Sequence, residues 1–239
     1  MYYTHITVNI NMSYLWQEFN IKTFPAETLV FRNGVFCDDL SDYKNIKFEK
    51  NTVIVDKKTE LPVHIIYIGE IAGNIDLNID IFATDTKIIM TNKVFNTKPA
   101  FLNIFVKNAG KNSVFDGQIT VKNENSLKIQ AFGQNIQENT GIFIKTRVLA
   151  YKNSETYLEG CAKIEKNIKD CDSDISFSVM ADKDAKITLK PTQYINSVPK
   201  SAKHSASLYK PKDNQIQYLK TSGLSDAEIK EVLEEAFLN

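Results

Sequence analysis

The stretch Ser113-Val114-Phe115-Asp116-Gly117-Gln118-Ile119-Thr120-Val121 has a counterpart further along the chain, Thr156-Tyr157-Leu158-Glu159-Gly160-Cys161-Ala162-Lys163-Ile164. Both read as a hydroxyl, two apolar residues, an acid and a glycine, followed by a return to alternation. Alternating apolar and polar residues mark a strand with one buried face, because successive side chains leave a strand on opposite sides. The same pattern extends both ways, from about Thr52 to Thr188. Val63, Ile65, Tyr67 and Ile71 form one run, and Leu77, Ile79 and Ile81 the next. Leu102, Ile104 and Val106 follow, then Ile119 and Val121, then Leu127, Ile129 and Ala131, then Ile142, Ile144, Thr146 and Val148. Asn123, Asn125, Gly133, Asn135 and Gly141 punctuate the later runs. Such spacing suits a sandwich, a barrel or a β-solenoid. The echo favours the solenoid, in which each turn of a stacked coil hides its inner face only by lying on the next. The abundant asparagines, many of them in the turns, also fit, since Asn tolerates left-handed backbone at tight corners.

The two ends of the chain read differently. Glu27-Thr28-Leu29-Val30-Phe31-Arg32-Asn33-Gly34-Val35-Phe36 is a β-hairpin pattern, with Asn33-Gly34 supplying the positive φ values of a tight turn. The segment from Met1 to Phe24, with the single tryptophan Trp16, reads as an edge strand or a short helix leading into the body. At the other end Asp213 is placed to cap a short helix carrying Ile216 and Leu219, which Gly223 terminates. Ser225-Asp226-Ala227-Glu228 is a capping box, and Ile229, Val232, Leu233, Ala236 and Phe237 make one apolar stripe behind it. Such a stripe packs on its own domain or protrudes to dock a partner, and both readings stay open. The organisation expected is an N-terminal segment over 1–50, a strand-rich core over 51–210 and a helical hairpin over 211–239.

Composition narrows the function classes. The 239 residues carry 29 basic and 29 acidic side chains, a net charge of zero that speaks against a nucleic-acid coat. Only Arg32 and Arg147 are arginine, the side chain best suited to forked phosphate recognition. Every uncharged apolar stretch falls short of the roughly 18 residues that a membrane-spanning helix needs. The N-terminus lacks the features of a secretory signal, so a cytosolic (cytoplasmic) chain without membrane partners is expected. Cys37, Cys161 and Cys171 are too few for a disulfide framework or a four-thiolate metal site. No phosphate-binding loop, GxSxG, HExxH or CxxC occurs, and no catalysed reaction is expected. His64, between Val63 and Ile65, reads as a polar-face strand residue, and His5 as a terminal one. Cys161, beside Ala162, reads as packed, and Cys37 as incidental. Asp116 and Glu159, equivalent in the echo, are the pair of carboxylates that a glycan-active β-helix enzyme would need, although their glycine neighbours suggest corners.

Past the strand region stand Pro191, Ile195, Val198, His204, Ala206, Gln215, Tyr218-Leu219 and Gly223, then a Ser-Asp-Ala-Glu-Ile helix ending in Ala236-Phe237-Leu238. This series resembles the closing segment of the SufB/SufD family. The spacings from Pro191 to His204 and from His204 to Tyr218 and Gly223 match the family without a gap. Ala185-Lys186-Ile187-Thr188-Leu189-Lys190-Pro191 and Leu158 to Ile164 are similar more loosely, so close resemblance covers 156–239. Ser205 stands where the family has glycine, Ser222-Gly223 where it has Arg-Gly, and Gln217 where it has Phe. SufD looks the nearer relative, because no glutamate follows His204.

The resemblance implies an all-β body, a right-handed parallel β-helix, followed by a helical hairpin. It also implies a non-catalytic scaffold subunit in iron–sulfur cluster assembly. In the family two such bodies pair through their C-terminal strands, so the partner is a SufB/SufD-like sibling or a second copy in a homodimer. The hairpin docks a SufC-type ABC ATPase, whose closure rearranges the seam where a transient cluster is built. Gln215, Tyr218, Leu219, Gly223, Ile229, Val232, Leu233 and Phe237 would carry that docking. His204 and Cys171 would be the metal ligands, since Cys171-Asp172-Ser173 looks like the Cys-Asp-Ser of SufB and imidazole and thiolate both suit iron. Nothing in the sequence decides on a flavin. The alternative is a β-solenoid interaction module that has lost the cluster chemistry.

Overall fold

The structure, a computed structural model, describes residues 27–38 and 41–239. The readings of Met1 to Phe24, with His5 and Trp16, lie outside the described residues. Strands β1 (Thr28–Arg32), β2 (Val35–Phe36), β3 (Ile46–Glu49), β4 (Thr52–Val55), β5 (Val63–Glu70), β6 (Gly73–Ile81), β7 (Lys87–Asn96) and β8 (Ala100–Asn108) come first. They lead to β9 (Val114–Asn123), β10 (Ser126–Asn135), β11 (Gly141–Ala150), β12 (Glu155–Ile164), β13 (Asp172–Ala181), β14 (Lys186–Ile195) and β15 (Ser201–Tyr209), then to helices α1 (Asp213–Thr221) and α2 (Asp226–Leu238). From β4 on, consecutive strands go alternately to two sheets, ordered β15-β13-β11-β9-β7-β5-β1-β2 and β14-β12-β10-β8-β6-β4-β3. Each coil gives one strand to each sheet and pairs in parallel with the coils before and after it. This is the expected parallel β-solenoid with two C-terminal helices, flattened so that two sheets face each other.

The echo in the sequence is not the coil period. Lys87 pairs with Val114, Val114 with Gly141 and Gly141 with Asp172, so one coil is much shorter than the distance from Ser113 to Thr156. The echo spans about a coil and a half, and it carries β9 of one sheet onto β12 of the other. The two strands look alike because both sheets meet the same problem on their inner faces. Gly117 and Gly160 lie buried within strands, not at corners, and leave room for aromatic rings. A Cβ at Gly117 would come 2.8 Å from Phe115, and one at Gly160 2.7 Å from Phe177. The same topology places Asp116 and Glu159 on opposite outer faces, so they cannot act as a carboxylate pair.

Stacking turns single residues into ladders. One inner row runs Ile65, Met90, Gly117, Ile144, Ile175, and another runs Leu102, Ile129, Leu158, Leu189. The corners before β7, β9, β11 and β13 of the larger sheet repeat a left-handed residue: Asp85, Asn112, Asn139 and Asp170, with φ of 52, 60, 56 and 58°. Short polar side chains bear that conformation at least cost and bond their stacked neighbours, as Asn112 Nδ2 does in donating to Asp85 Oδ1 at 2.8 Å. Buried Asn108, Asn123 and Asn135 close the strand ends, each donating to a backbone carbonyl across the corner.

The N-terminal end of the solenoid is plugged. The β1–β2 hairpin turns at Asn33 and Gly34, with φ of 51 and 82° as the sequence predicts, and β1 joins the larger sheet by pairing in parallel with β5. Phe31, Phe36, Phe48 and Tyr67 stack over this end with ring centroids 4.8–5.7 Å apart. His64 stands half-buried on the outer face, as expected, and burial together with Lys87 holds its pKa below the ordinary imidazole value. Cys161, by contrast, is half-exposed on the outer face of β12 and not packed inside, because the inner positions of that strand are Gly160 and Ala162. Among the described residues no helix is long and apolar enough to cross a membrane.

Candidate functional site at the open last coil

The C-terminal end of the solenoid is open. β14 and β15 are the last strands of their sheets, so each leaves a row of backbone groups unpaired. Their inner side chains are covered by the preceding coil on one flank only: Ile187, Leu189, Pro191, Gln193 and Ile195 from β14, and Ala202, His204, Ala206 and Leu208 from β15. His204 ends the row Ile65, Met90, Gly117, Ile144, Ile175, at the position where the preceding coils place buried apolar residues or glycine. A titratable side chain is tolerated there only because no coil follows to bury it. Gln193 ends a neighbouring apolar row in the same way and ties the two edge strands together, Nε2 donating to Lys203 O at 2.5 Å. Sequence reasoning missed Gln193, although its place in the alternation Ile187, Leu189, Pro191, Gln193, Ile195 carried the signal.

Cys171 lies elsewhere. It occupies the corner before β13 and is fully buried. Its thiol lies 3.3 Å from Gln137 O and 3.5 Å from Lys169 O, and 3.5 Å from the hydroxyl of Thr140. Because Asp172 pairs with Ser201 and Ile175 with His204, the two residues are displaced along the strands by roughly 13 Å. The structure therefore does not bring His204 and Cys171 together, and the corner must open before the thiol meets a metal. Among the described residues no group of three or more His, Cys, Asp or Glu could hold a metal ion. In the isolated chain Cys171 should resist an uncharged thiol reagent while half-exposed Cys161 reacts; mass mapping of labelled peptides checks this, with comparable labelling of both contradicting the buried geometry.

The two helices divide their tasks. α2 lies on the outer face of the larger sheet against β11 and buries Ile229, Leu233, Glu234 and Leu238. Tyr151 donates its hydroxyl to Glu234 at 2.9 Å, Arg147 donates to the carbonyl of Leu238 at 3.3 Å, and Phe237 stacks on Tyr209 at 5.3 Å. Burial and the Glu234 carboxylate push the Tyr151 phenol pKa up, which keeps it a donor. Ser225 and Glu228 form the expected capping box, and the bonds from Ser225 lower the Glu228 carboxyl pKa. α1 buries no residue. Its N-cap is Lys212 and not Asp213, which falls at the first helical position; the Lys212 N–H donates to Gln215 Oε1 at 2.9 Å instead. At its C-terminus Gly223 takes φ of 90° and the N–H groups of Gly223 and Leu224 close on Lys220 and Leu219, a Schellman end. Tyr218 is 70% exposed on α1, and Gln215 is exposed with it, whereas of the α2 stripe only Val232 and Ala236 stay open. A cleft of about 480 Å³ between α2 and the sheet, lined by Leu149, Tyr151, Met180, Leu208 and Pro211, sits beside the linker from β15.

No curated protein matches the chain in sequence. The family model for the SUF system FeS cluster assembly SufBD core domain matches residues 81–237, which takes in the solenoid from the end of β6, the open last coil and nearly all of the hairpin. That match spans well over half of the chain, and the protein belongs to the SufBD family, whose system assembles iron–sulfur clusters.

Proposed function

We propose that this chain is a scaffold subunit that pairs through its open last coil and is gripped through its hairpin by a SufC-type ABC ATPase. The carrying observation is the family match ending on a coil left bare at both strand edges and on a helix, α1, that buries none of its residues. Bare parallel edges with half-covered apolar inner residues gain most by accepting further strands, which is the pairing the resemblance implies. His204 would stand at the seam so formed and receive iron, its neutral imidazole nitrogen offering a lone pair. Cys171 would contribute a thiolate only once its corner is strained open, and closure of the ATPase on α1 is the force available to do that through α2 and the sheet. The cluster is cargo in this reading, and the chain itself catalyses nothing. A cytosolic location accompanies it.

Co-expression with a SUF-type ATPase tests the docking. The full chain should co-purify with it, and removal of 213–239 should abolish capture. Undiminished capture by the truncated chain, with the β-sheet signal of its circular dichroism retained, would refute the assignment.

A further inference from the structure

The cleft between α2 and the larger sheet has apolar walls, Leu149, Met180, Ala181, Leu208 and Pro211, around a volume of about 480 Å³. Volumes of roughly 300–1,000 Å³ with mostly apolar walls and a few charged groups are the ordinary setting of small-molecule sites. The space exists because of what α2 presents to it. Ile229, Leu233 and Leu238 are buried, but the flank of the helix that lines the cleft carries Lys230 and Glu234. These two roof the cleft and do not fill it. Lys230 lies over the ring of Tyr151, 5.4 Å from its centroid, and reaches Asp182 at 3.5 Å and Glu234 at 3.6 Å. Folded interiors are packed as densely as organic crystals, so apolar walls left facing an open volume are a cost that an occupant would remove.

The charges at the mouth are uneven. Both carboxylates that line the cleft are engaged within the chain. Glu234, only 7% exposed, accepts from the Tyr151 hydroxyl at 2.9 Å, and Asp182 accepts from the Lys152 N–H at 3.1 Å as well as from Lys230. Lys183, in the turn after β13, and Lys210, in the linker after β15, also line the cleft, and neither forms an ion pair among the described residues. Asp184, next to Lys183, does not line it. We propose that this cleft binds a small amphipathic anion, a molecule with an aliphatic or aromatic body and a single carboxylate or sulfonate head. The body buries its surface against Leu149, Met180 and Leu208, and the head is met by Lys183 and Lys210. A cationic amphiphile of the same length brings like charge to the same two lysines. The site needs neither the pairing nor the ATPase proposed above.

Titration calorimetry of the full chain tests this with three probes: anilinonaphthalene sulfonate, decanoate and decyltrimethylammonium, the last two kept below their micelle concentrations. Wild type should bind one sulfonate probe per chain, and decanoate at least about 10-fold more tightly than the cation of equal chain length. Two variants at exposed positions separate body from head: Ala181→Phe puts a ring into the cleft, and Lys183→Glu/Lys210→Glu reverses its mouth. With the β-sheet circular dichroism signal retained, each should weaken both anions at least about 10-fold, and the second should turn the preference toward the cation. Anion affinity unchanged in both folded variants, or a cation held by wild type as tightly as decanoate, would overturn the proposal. No binding of either anion to folded wild type would do the same and leave the cleft to a protein side chain. Retention of wild type by anionic lipid vesicles, without binding of monomeric decanoate, would also overturn it, by giving the lysines to a membrane surface. Should either variant fail to fold, the wild-type comparison of decanoate with the cation still decides.

Discussion

Replacing Gly110 by alanine is expected to cost the fold about 3 kcal/mol or more. Gly110 is buried at the corner between β8 and β9. A Cβ there would lie 1.9 Å from the carbonyl oxygen of Ala83 and 2.7 Å from its carbon. Those atoms are backbone of the preceding coil, held where the Ser113 hydroxyl donates to the same carbonyl at 2.5 Å and Ala109 N–H donates to Ile81 O at 2.8 Å. Neither side of the contact can yield without unstacking a corner that the coils above and below also use. Gly117→Ala meets the ring of Phe115 at 2.8 Å and the end of Met90 at 3.2 Å, both of which can turn aside, and should cost about 1 kcal/mol. Urea midpoints of the two variants measure the difference, and equal losses would show that the corner is softer than its geometry.

Opposite outcomes are expected from the two helices. Tyr218→Ala with Leu219→Ala on α1 should leave the melting temperature unchanged, since neither side chain is fully covered, yet weaken ATPase binding by about 100-fold, the scale of losing an aromatic anchor and its neighbour. Leu233→Asp on α2 puts a carboxylate where a leucine is 9% exposed and should detach the hairpin from the sheet, visible as rapid proteolysis near residues 210–212 with the solenoid intact. Isothermal titration and limited trypsin digestion separate the two effects. A melting temperature lowered by the α1 pair, or normal ATPase affinity in it, would mean that α1 is not the handle.

Much of the architecture is legible in the sequence where a residue has one physical option. Leu127, Ile129 and Ala131 can be buried together only from a strand, Asn33-Gly34 can turn only tightly, and Ser225 with Glu228 caps a helix wherever it stands. β7 is harder to see because Ile88 and Ile89 are apolar on both faces and Asn92 is a buried amide on an inner position. The period is obscured because successive coils share inner-face chemistry across both sheets, so the best textual match joins strands that never pair. The site is half legible. His204 stands out by spacing, but its place as the uncovered end of an apolar row needs the register. The burial of Cys171 is set by carbonyl and hydroxyl groups gathered from the Gln137–Thr140 and Lys169 turns, which no local pattern announces.

Anaerobic reconstitution tests the proposed role most directly. The complex of this chain with the proposed ATPase and pairing partner is exposed to ferrous iron and sulfide, and bound iron and acid-labile sulfide are counted. Wild-type complex should hold both, with cluster absorbance, and His204→Ala should lose most of that iron while the complex stays assembled. Iron and sulfide bound equally well by the partners without this chain would contradict the assignment of cluster assembly to it.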